Sequence, residues 1–179
     1  MSEDHWLKPT RFETKRLIVS IWDTRLEEPE NKNALVDRLS EILTPPVLAH
    51  LPPSMQLGPE TSAANEWVMA RAKESRVFLV ETSEDGLLIG LVFLVNFPRG
   101  AEAVNIHLGY LLAESAWGKG IASELVSGLV AALNLMEGGQ IVGGVGIENK
   151  ASARVLEKSG FVIDPERSTS DTEQFVYTY

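Results

Sequence analysis

The sequence predicts one mixed α/β (α+β) domain on a largely antiparallel, twisted sheet, and three observations predict it. Short alternating or β-branched runs recur along the chain, and amphipathic helical stripes separate some of them. The order of the two is strand, two helices, three strands, helix, strand, helix and two strands. That order gives about seven strands and about four helices, with consecutive strands that call for hairpins rather than the strict alternation of a doubly wound sheet.

The elements follow in chain order. R-L-I-V-S-I-W at 16–22 and R-V-F-L-V-E-T at 76–82 read as strands. Between them, residues 30–43 carry Leu35, Val36, Leu39 and Ile42 at helical spacing, and residues 61–75 carry Ala64, Trp67, Val68 and Ala72. Pro45, Pro46, Pro52 and Pro53 predict a loop over the intervening segment, a candidate lid or rim, because proline lacks an N–H and restricts its predecessor. L-L-I-G-L-V-F-L-V-N-F at 87–97 and A-V-N-I-H-L-G-Y-L-L-A at 103–113 read as hairpin partners joined by P-R-G-A-E at 98–102. Period two puts Val104, Ile106, Leu108 and Tyr110 on one face and Asn105, His107 and Gly109 on the other.

Residues 118–136 carry Ile121, Leu125, Leu129, Leu133 and Met136 on one stripe, with Ala122, Gly128 and Ala132 allowing close approach to a sheet. Gly138 and Gly139 end that helix. A strand follows at 140–147, then a helix opening at N-K-A-S and closed by Gly160, then strands at 161–165 and 173–179. No repeat or interdomain linker interrupts the pattern, so residues 1–179 read as a single domain, with its core at about 12–179.

Composition narrows the function. A net charge of -9 opposes phosphate polymers and anionic membrane surfaces, so neither nucleic acid nor a membrane is an expected partner. The first residues resemble neither a signal nor a transit peptide, and no apolar run is long enough for a transmembrane helix, so the expected address is cytoplasmic. With no cysteine, thiolate nucleophiles and cysteine metal sites are excluded, and no metal site is expected.

W-G-K-G-I-A-S at 117–123 stands where a strand hands over to a helix. A helix start has unpaired N–H groups and a positive dipole end, and glycines let an anion approach the backbone. The same glycines also suit a tight turn that binds nothing. A nucleotide P-loop fails here, because Ala113 occupies its first glycine position and Gly120 its hydroxyl position. A dinucleotide fold needs glycine or alanine where Ser123 stands, and a βαβ unit, which the antiparallel setting lacks.

A third pattern fits. W-G-K-G-I-A resembles the pyrophosphate-binding turn of the GCN5-related N-acetyltransferases, R/Q-x-x-G-x-G/A, with Trp117 in place of the Arg or Gln. F-E-T-K-R-L-I-V at 12–19, H-L-G-Y-L-L-A at 107–113 and E-N-K-A-S-A-R-V-L-E-K-S-G-F at 148–161 match in the same order. Together they are similar to the branch that holds the ribosomal-protein and amino-terminal acetyltransferases. The resemblance covers nearly the whole chain and is weakest over 23–60.

It implies a sheet splayed between its fourth and fifth strands, with acetyl-CoA as co-substrate in the gap and its pyrophosphate on the turn of Trp117, Gly118, Lys119, Gly120, Ile121 and Ala122. Leu111, Leu112 and Ala113 would offer backbone groups to the pantetheine and, at a bulge, an N–H to the thioester carbonyl. The facing Gly143, Gly144 and Gly146 lower side-chain bulk there, and equally suit a bulge or packing against the long helix. His107 stands where many relatives carry a glutamate base, and a histidine can take a proton at neutral pH. A satisfied structural histidine is the competing reading. Asn149 fits both an N-cap and a hydrogen bond to the pantetheine. Leu156 replaces the tyrosine acid of many relatives, which leaves Ser152 to hydrogen-bond the sulfur. Lys119 and Lys150 fit coenzyme phosphates and plain solvated surface alike.

The implied reaction is acetyl transfer to a primary amine, on a peptide N-terminus or a small molecule; a homodimer is a candidate assembly, since dimers are common in relatives. The competing class is a non-catalytic CoA-binding domain on the same scaffold.

Overall fold

A computed structural model describes residues 10–97, 104–134 and 138–179. The strands are β1 (Arg11–Glu13), β2 (Leu17–Ile21), β3 (Arg76–Thr82), β4 (Leu88–Asn96), β5 (Val104–Leu112), β6 (Gly139–Gly146), β7 (Val162–Ile163) and β8 (Thr172–Thr178). The helices are α1 (Asp23–Glu27), α2 (Pro29–Ile42), α3 (Pro45–Leu48), α4 (Ala63–Glu74), α5 (Ile121–Leu133) and α6 (Lys150–Lys158). All eight strands form one sheet in the order β1-β2-β3-β4-β5-β6-β8-β7. Every pairing is antiparallel except β5 with β6. None of the described helices is long and apolar enough to cross a membrane.

Three elements exceed the sequence reading. β1 is only three residues long, too short for periodicity to reveal, and owes its existence to pairing with β2. α1 is a single short turn-and-a-half with no buried residue. α3 forms where a loop is expected, because its prolines sit in the first turn, where a helix N–H has no partner anyway. The expected turn at 98–102 and Met136 lie outside the described residues.

Two apolar layers flank the sheet. Leu125, Val126 and Leu129 of α5 and Leu156 of α6 pack on Ile106, Leu108 and Leu112 of β5 and on Val92 and Leu94 of β4. Leu35, Leu39 and Ile42 of α2 with Trp67 and Val68 of α4 cover the opposite face, including Leu91 and Phe93 of β4 and Leu111 of β5. Burying each such side chain contributes about 1.5–3 kcal/mol, so both faces of β4 and β5 are fixed by packing.

The two central strands then part. β5 pairs with β4 along Ile106–Leu112, but with β6 only from Val104↔Gly139 to His107↔Val142. Beyond that point β6 continues its pairing with β8 through Gly146↔Thr172. The ends of β5 and β6 therefore diverge, leaving an opening bounded by two strands that are each anchored on their outer side.

A polar clamp joins the N-terminal hairpin to the start of α5. The Glu124 carboxylate accepts from the Thr14 hydroxyl at 2.6 Å, the Arg16 backbone N–H at 2.7 Å and Arg16 Nε at 2.6 Å. Arg16 also donates through Nη1 to the Lys119 carbonyl at 3.0 Å, bracing the turn before the helix. Desolvation opposes ionisation of Glu124, but the hydrogen bonds from Thr14 and Arg16 outweigh it and hold its pKa below the ordinary glutamate value. A depressed carboxylate pKa stabilises the fold above the unfolded-state value and ceases to do so as pH falls through the folded one. Glu124→Gln is expected to cost about 1–2 kcal/mol at pH 7. Urea melts of both proteins should show that gap closing below the ordinary glutamate pKa.

Candidate active site

The opening between β5 and β6 is a cleft of about 580 Å³. Leu108, Tyr110 and Leu112 line it, and so do Gly109, Leu111 and Phe93. Leu108 and Leu112 belong to the α5/α6 layer, whereas Leu111 and Phe93 belong to the α2/α4 layer. The cleft thus crosses the sheet, with one mouth on each face. A second cavity of about 450 Å³, between the end of α4 and β3/β4, contains none of the sequence-predicted site residues.

Strand geometry decides which backbone groups enter the cleft. The Ala113 N–H donates to the Ile89 carbonyl at 2.8 Å, and the Phe97 N–H to the Asn105 carbonyl at 2.8 Å. The β4–β5 register runs unbroken between these bonds. Antiparallel alternation then turns the N–H and C=O of Asn105, His107, Gly109 and Leu111 and the N–H of Ala113 towards β4, and the N–H and C=O of Leu108, Tyr110 and Leu112 towards the cleft, while the Ala113 carbonyl accepts from the Ala116 N–H at 2.9 Å. This corrects the expectation for Leu111 and Ala113: both have their N–H groups committed to β4, and only Leu111 lines the cleft, through its side chain. No bulge interrupts the β4–β5 register over Ile106–Leu112; the register shift lies on the other side of β4, where Ile89 is the extra residue opposite the Val80/Glu81 step of β3. Leu112 keeps its expected place, and its carbonyl accepts from Trp117 Nε1 at 2.9 Å.

The turn at the cleft mouth is built for an anion. Gly118 and Gly120 have φ of 68° and 73°, a left-handed conformation that a side chain disfavours. Gly120 is the N-cap of α5, without a side-chain cap. The first bond into the helix is Glu124 N–H to the Gly120 carbonyl at 3.1 Å. That leaves the N–H groups of Ile121, Ala122 and Ser123 without helical partners, at the positive end of a 13-residue helix. A Cβ at Gly118 would meet nothing within 4 Å, so the approach is open. Trp117, Gly118, Gly120, Ile121 and Ala122 line the cleft, while the Lys119 side chain does not; its carbonyl is held by Arg16.

On the opposite wall, Asn149 caps α6 by accepting the Ser152 N–H on Oδ1 at 3.1 Å, which leaves its amide NH₂ as a donor. Ser152 Oγ accepts from the Tyr110 hydroxyl at 3.2 Å, across the cleft from β5 to α6. Burial raises the Tyr110 pKa against a smaller opposing effect of that hydrogen bond, so the phenol stays protonated at neutral pH. Leu156 is fully buried, and a Cβ on Gly143 would lie 3.0 Å from its Cδ1. Gly143 is therefore small because Leu156 fills the space over it.

His107 lies outside the cleft lining. It shares a strand face with Gly109, one pleat nearer the point where β5 and β6 part, and stacks edge-on against Phe97 with ring centroids 4.6 Å apart. Partial desolvation, then the positive charge of Arg167, lower its pKa below the ordinary histidine value, so the ring is neutral at pH 7. His50, from the segment after α3, lines the cleft itself, with Val47, Leu51 and Met55. The Thr44 hydroxyl donates to Glu114 Oε1 at 2.6 Å and pins this segment beside the turn.

The sequence reading missed His50, Tyr110, Arg154 and Lys158, all of which line the cleft. Arg154 and Lys158 are four apart on α6, so helical spacing places them on one face, a signal that was available. His50 offers no such signal, because only tertiary packing brings its segment to β5. The described cleft-lining residues include no Asp or Glu, and their formal charge is positive in a chain of net charge -9.

The family model for the acetyltransferase (GNAT) domain matches residues 25–162. A Bacillus subtilis (strain 168) protein named Probable N-acetyltransferase YjcK is 40% identical over 85 residues, which are 47% of this chain and 46% of that protein. The matched region thus spans about half the length of that curated relative. The solved GNAT-family acetyltransferase from Bacillus anthracis superposes with a TM-score of 0.64 at 18% identity, covering 94% of this chain and 97% of that one. The ribosomal-protein-S5-alanine acetyltransferase from Vibrio fischeri gives 0.63 at 17% identity, covering 94% and 96%. At those identities the two structures speak for the fold, and the family match supplies the rest: the chain belongs to the acetyltransferase (GNAT) domain family.

Proposed function

We propose that the protein is an acetyl-CoA-dependent N-acetyltransferase that transfers acetyl directly to a primary amine. The observation that carries the reading is the joining of a glycine anion turn to a cleft through the sheet. Such a cleft accepts a long thioester from one face and an amine from the other. The N–H groups of Ile121, Ala122 and Ser123 would hold the pyrophosphate, with Arg154 and Lys158 supplying charge. The cleft-facing N–H and C=O of Tyr110 and the N–H of Leu112, whose carbonyl is already held by Trp117, would pair with the pantetheine amides, as a β-strand partner would. A cleft-facing N–H of β5 is preorganised to donate to the thioester oxygen as it gains negative charge.

The amine must lose a proton, and an alkylamine resembles lysine with a pKa near 10.4. His107, neutral at pH 7, serves as the acceptor of that proton through solvent at the α2/α4 mouth. The walls there are Val47, Leu51, Met55 and Phe93, with no carboxylate among the described residues lining the cleft. That lining favours an amine on an apolar chain, such as a peptide N-terminus or a small hydrophobic amine, over a polycation.

Thiol release from acetyl-CoA, screened against N-terminal peptides, amino acids, polyamines and aminoglycosides, tests the reading. Turnover with at least one amine on an apolar chain is expected; absence of both turnover and CoA binding at millimolar ligand would overturn it, and CoA binding without turnover would favour a non-catalytic CoA-binding domain. Gly120→Ala forces a side chain into a left-handed site and brings a methyl beside the anion, so the KM for acetyl-CoA should rise roughly tenfold or more. In the wild type, the acid limb of kcat/KM should lie below the ordinary histidine pKa of about 6.5, and His107→Gln should abolish that limb. An unchanged profile in the variant would remove His107 from the reaction.

A further inference from the structure

Leu156 occupies the place from which many relatives present a hydroxyl to the departing sulfur, and it is sealed under α6 against Gly143. The cleft nevertheless contains two hydroxyls in contact, from opposite walls. Tyr110 reaches across from β5 and donates to Ser152 Oγ at 3.2 Å. The donor and acceptor sites of Ser152 are then largely assigned. Its N–H is taken by Asn149 Oδ1, its oxygen accepts the Tyr110 proton, and its own O–H is left to donate elsewhere, into the cleft that both residues line.

We propose that Tyr110 is a positioning residue for acyl transfer, orienting and polarising the Ser152 hydroxyl so that it donates to the thiolate as the thioester breaks. This rests on the acetyl-transfer reading above. In the step, the amine nitrogen forms a bond to the carbonyl carbon and the C–S bond breaks, with its electron pair going to sulfur. The ammonium loses one proton before attack and the nitrogen a second as the amide forms, the two passing in turn through His107 and solvent, and the thiolate takes its own proton from water on release. The two hydroxyls keep their protons throughout; they stabilise the charge on sulfur as a hydrogen-bonded chain in which each link strengthens the next. A phenol protonated well into the alkaline range suits that task, since an ionised Tyr110 would be an acceptor and would turn the Ser152 proton away from the sulfur.

The test compares wild type, Tyr110→Phe, Ser152→Ala and the double variant, using acetyl-CoA with the best amine of the panel. Tyr110→Phe should lower kcat roughly tenfold with the acetyl-CoA KM nearly unchanged, and the double variant should be no slower than Ser152→Ala alone. The Tyr110→Phe defect should shrink with an S-aryl thioacetate, whose thiolate needs less stabilisation. Replacing Tyr110 by 3,5-difluorotyrosine keeps the ring and hydroxyl in place while lowering the phenol pKa. It should therefore move the alkaline fall in kcat towards neutral pH, a result that also serves if the Phe variant folds poorly. Unchanged kcat in Tyr110→Phe, additive losses in the double variant, or a defect indifferent to the leaving group would each overturn the proposal. Lack of thiol release by the wild type would instead overturn the acetyl-transfer reading.

Discussion

Everything at the candidate site depends on one failure of pairing: β5 and β6 stay together from Val104↔Gly139 to His107↔Val142 and then separate. A free sheet edge is ordinarily a liability, because unpaired N–H and C=O groups recruit other strands. Here the two edges face each other inside the protein, each strand held by its other neighbour. β4 grips β5 to Leu112 and β8 grips β6 to Gly146. The opening therefore cannot close by local relaxation without breaking a complete ladder, and its hydrogen-bonding capacity is available to a ligand with amides of its own.

The remaining features make that opening selective. The α5 dipole and its uncapped first turn favour an anion at one end, and the glycines that cap it are required by their left-handed φ values whether or not a ligand is bound. The tight-turn and anion-cradle readings of W-G-K-G-I-A-S thus describe the same backbone. Arg16 and Glu124 brace the turn from behind, so the N-terminal hairpin, remote in sequence, contributes to the geometry of the anion site. Apolar residues from the segment after α3 finish the opposite mouth, and Tyr110 and Ser152 bridge the walls between them.

Much of this was legible in the sequence where periodicity runs long. The stripe of α5, the hairpin of β4 and β5, and the two-residue alternation that separates His107 from Tyr110 all follow from spacing. The glycine turn and Asn149 cap were legible as local chemistry. What was not legible depends on contacts across the chain. β1 exists only as a partner of β2, and α3 starts on prolines that read equally well as a loop. The expectation for Leu111 and Ala113 failed because alternation says which side chains share a face, but the phase of the β4 ladder decides which backbone groups are free. Tyr110 was placed on the apolar face correctly, yet its bond to Ser152 requires the splay itself.

Amide hydrogen exchange, read residue by residue with and without CoA, tests the central claim most directly. If the coenzyme lies in the splayed gap with its pyrophosphate on the turn, added protection appears at Tyr110, Leu112, Ile121, Ala122 and Ser123. Leu111 and Ala113, already bonded to β4, change little. Saturating CoA that leaves those five amides unprotected, or protects a different part of the sheet, would contradict the account.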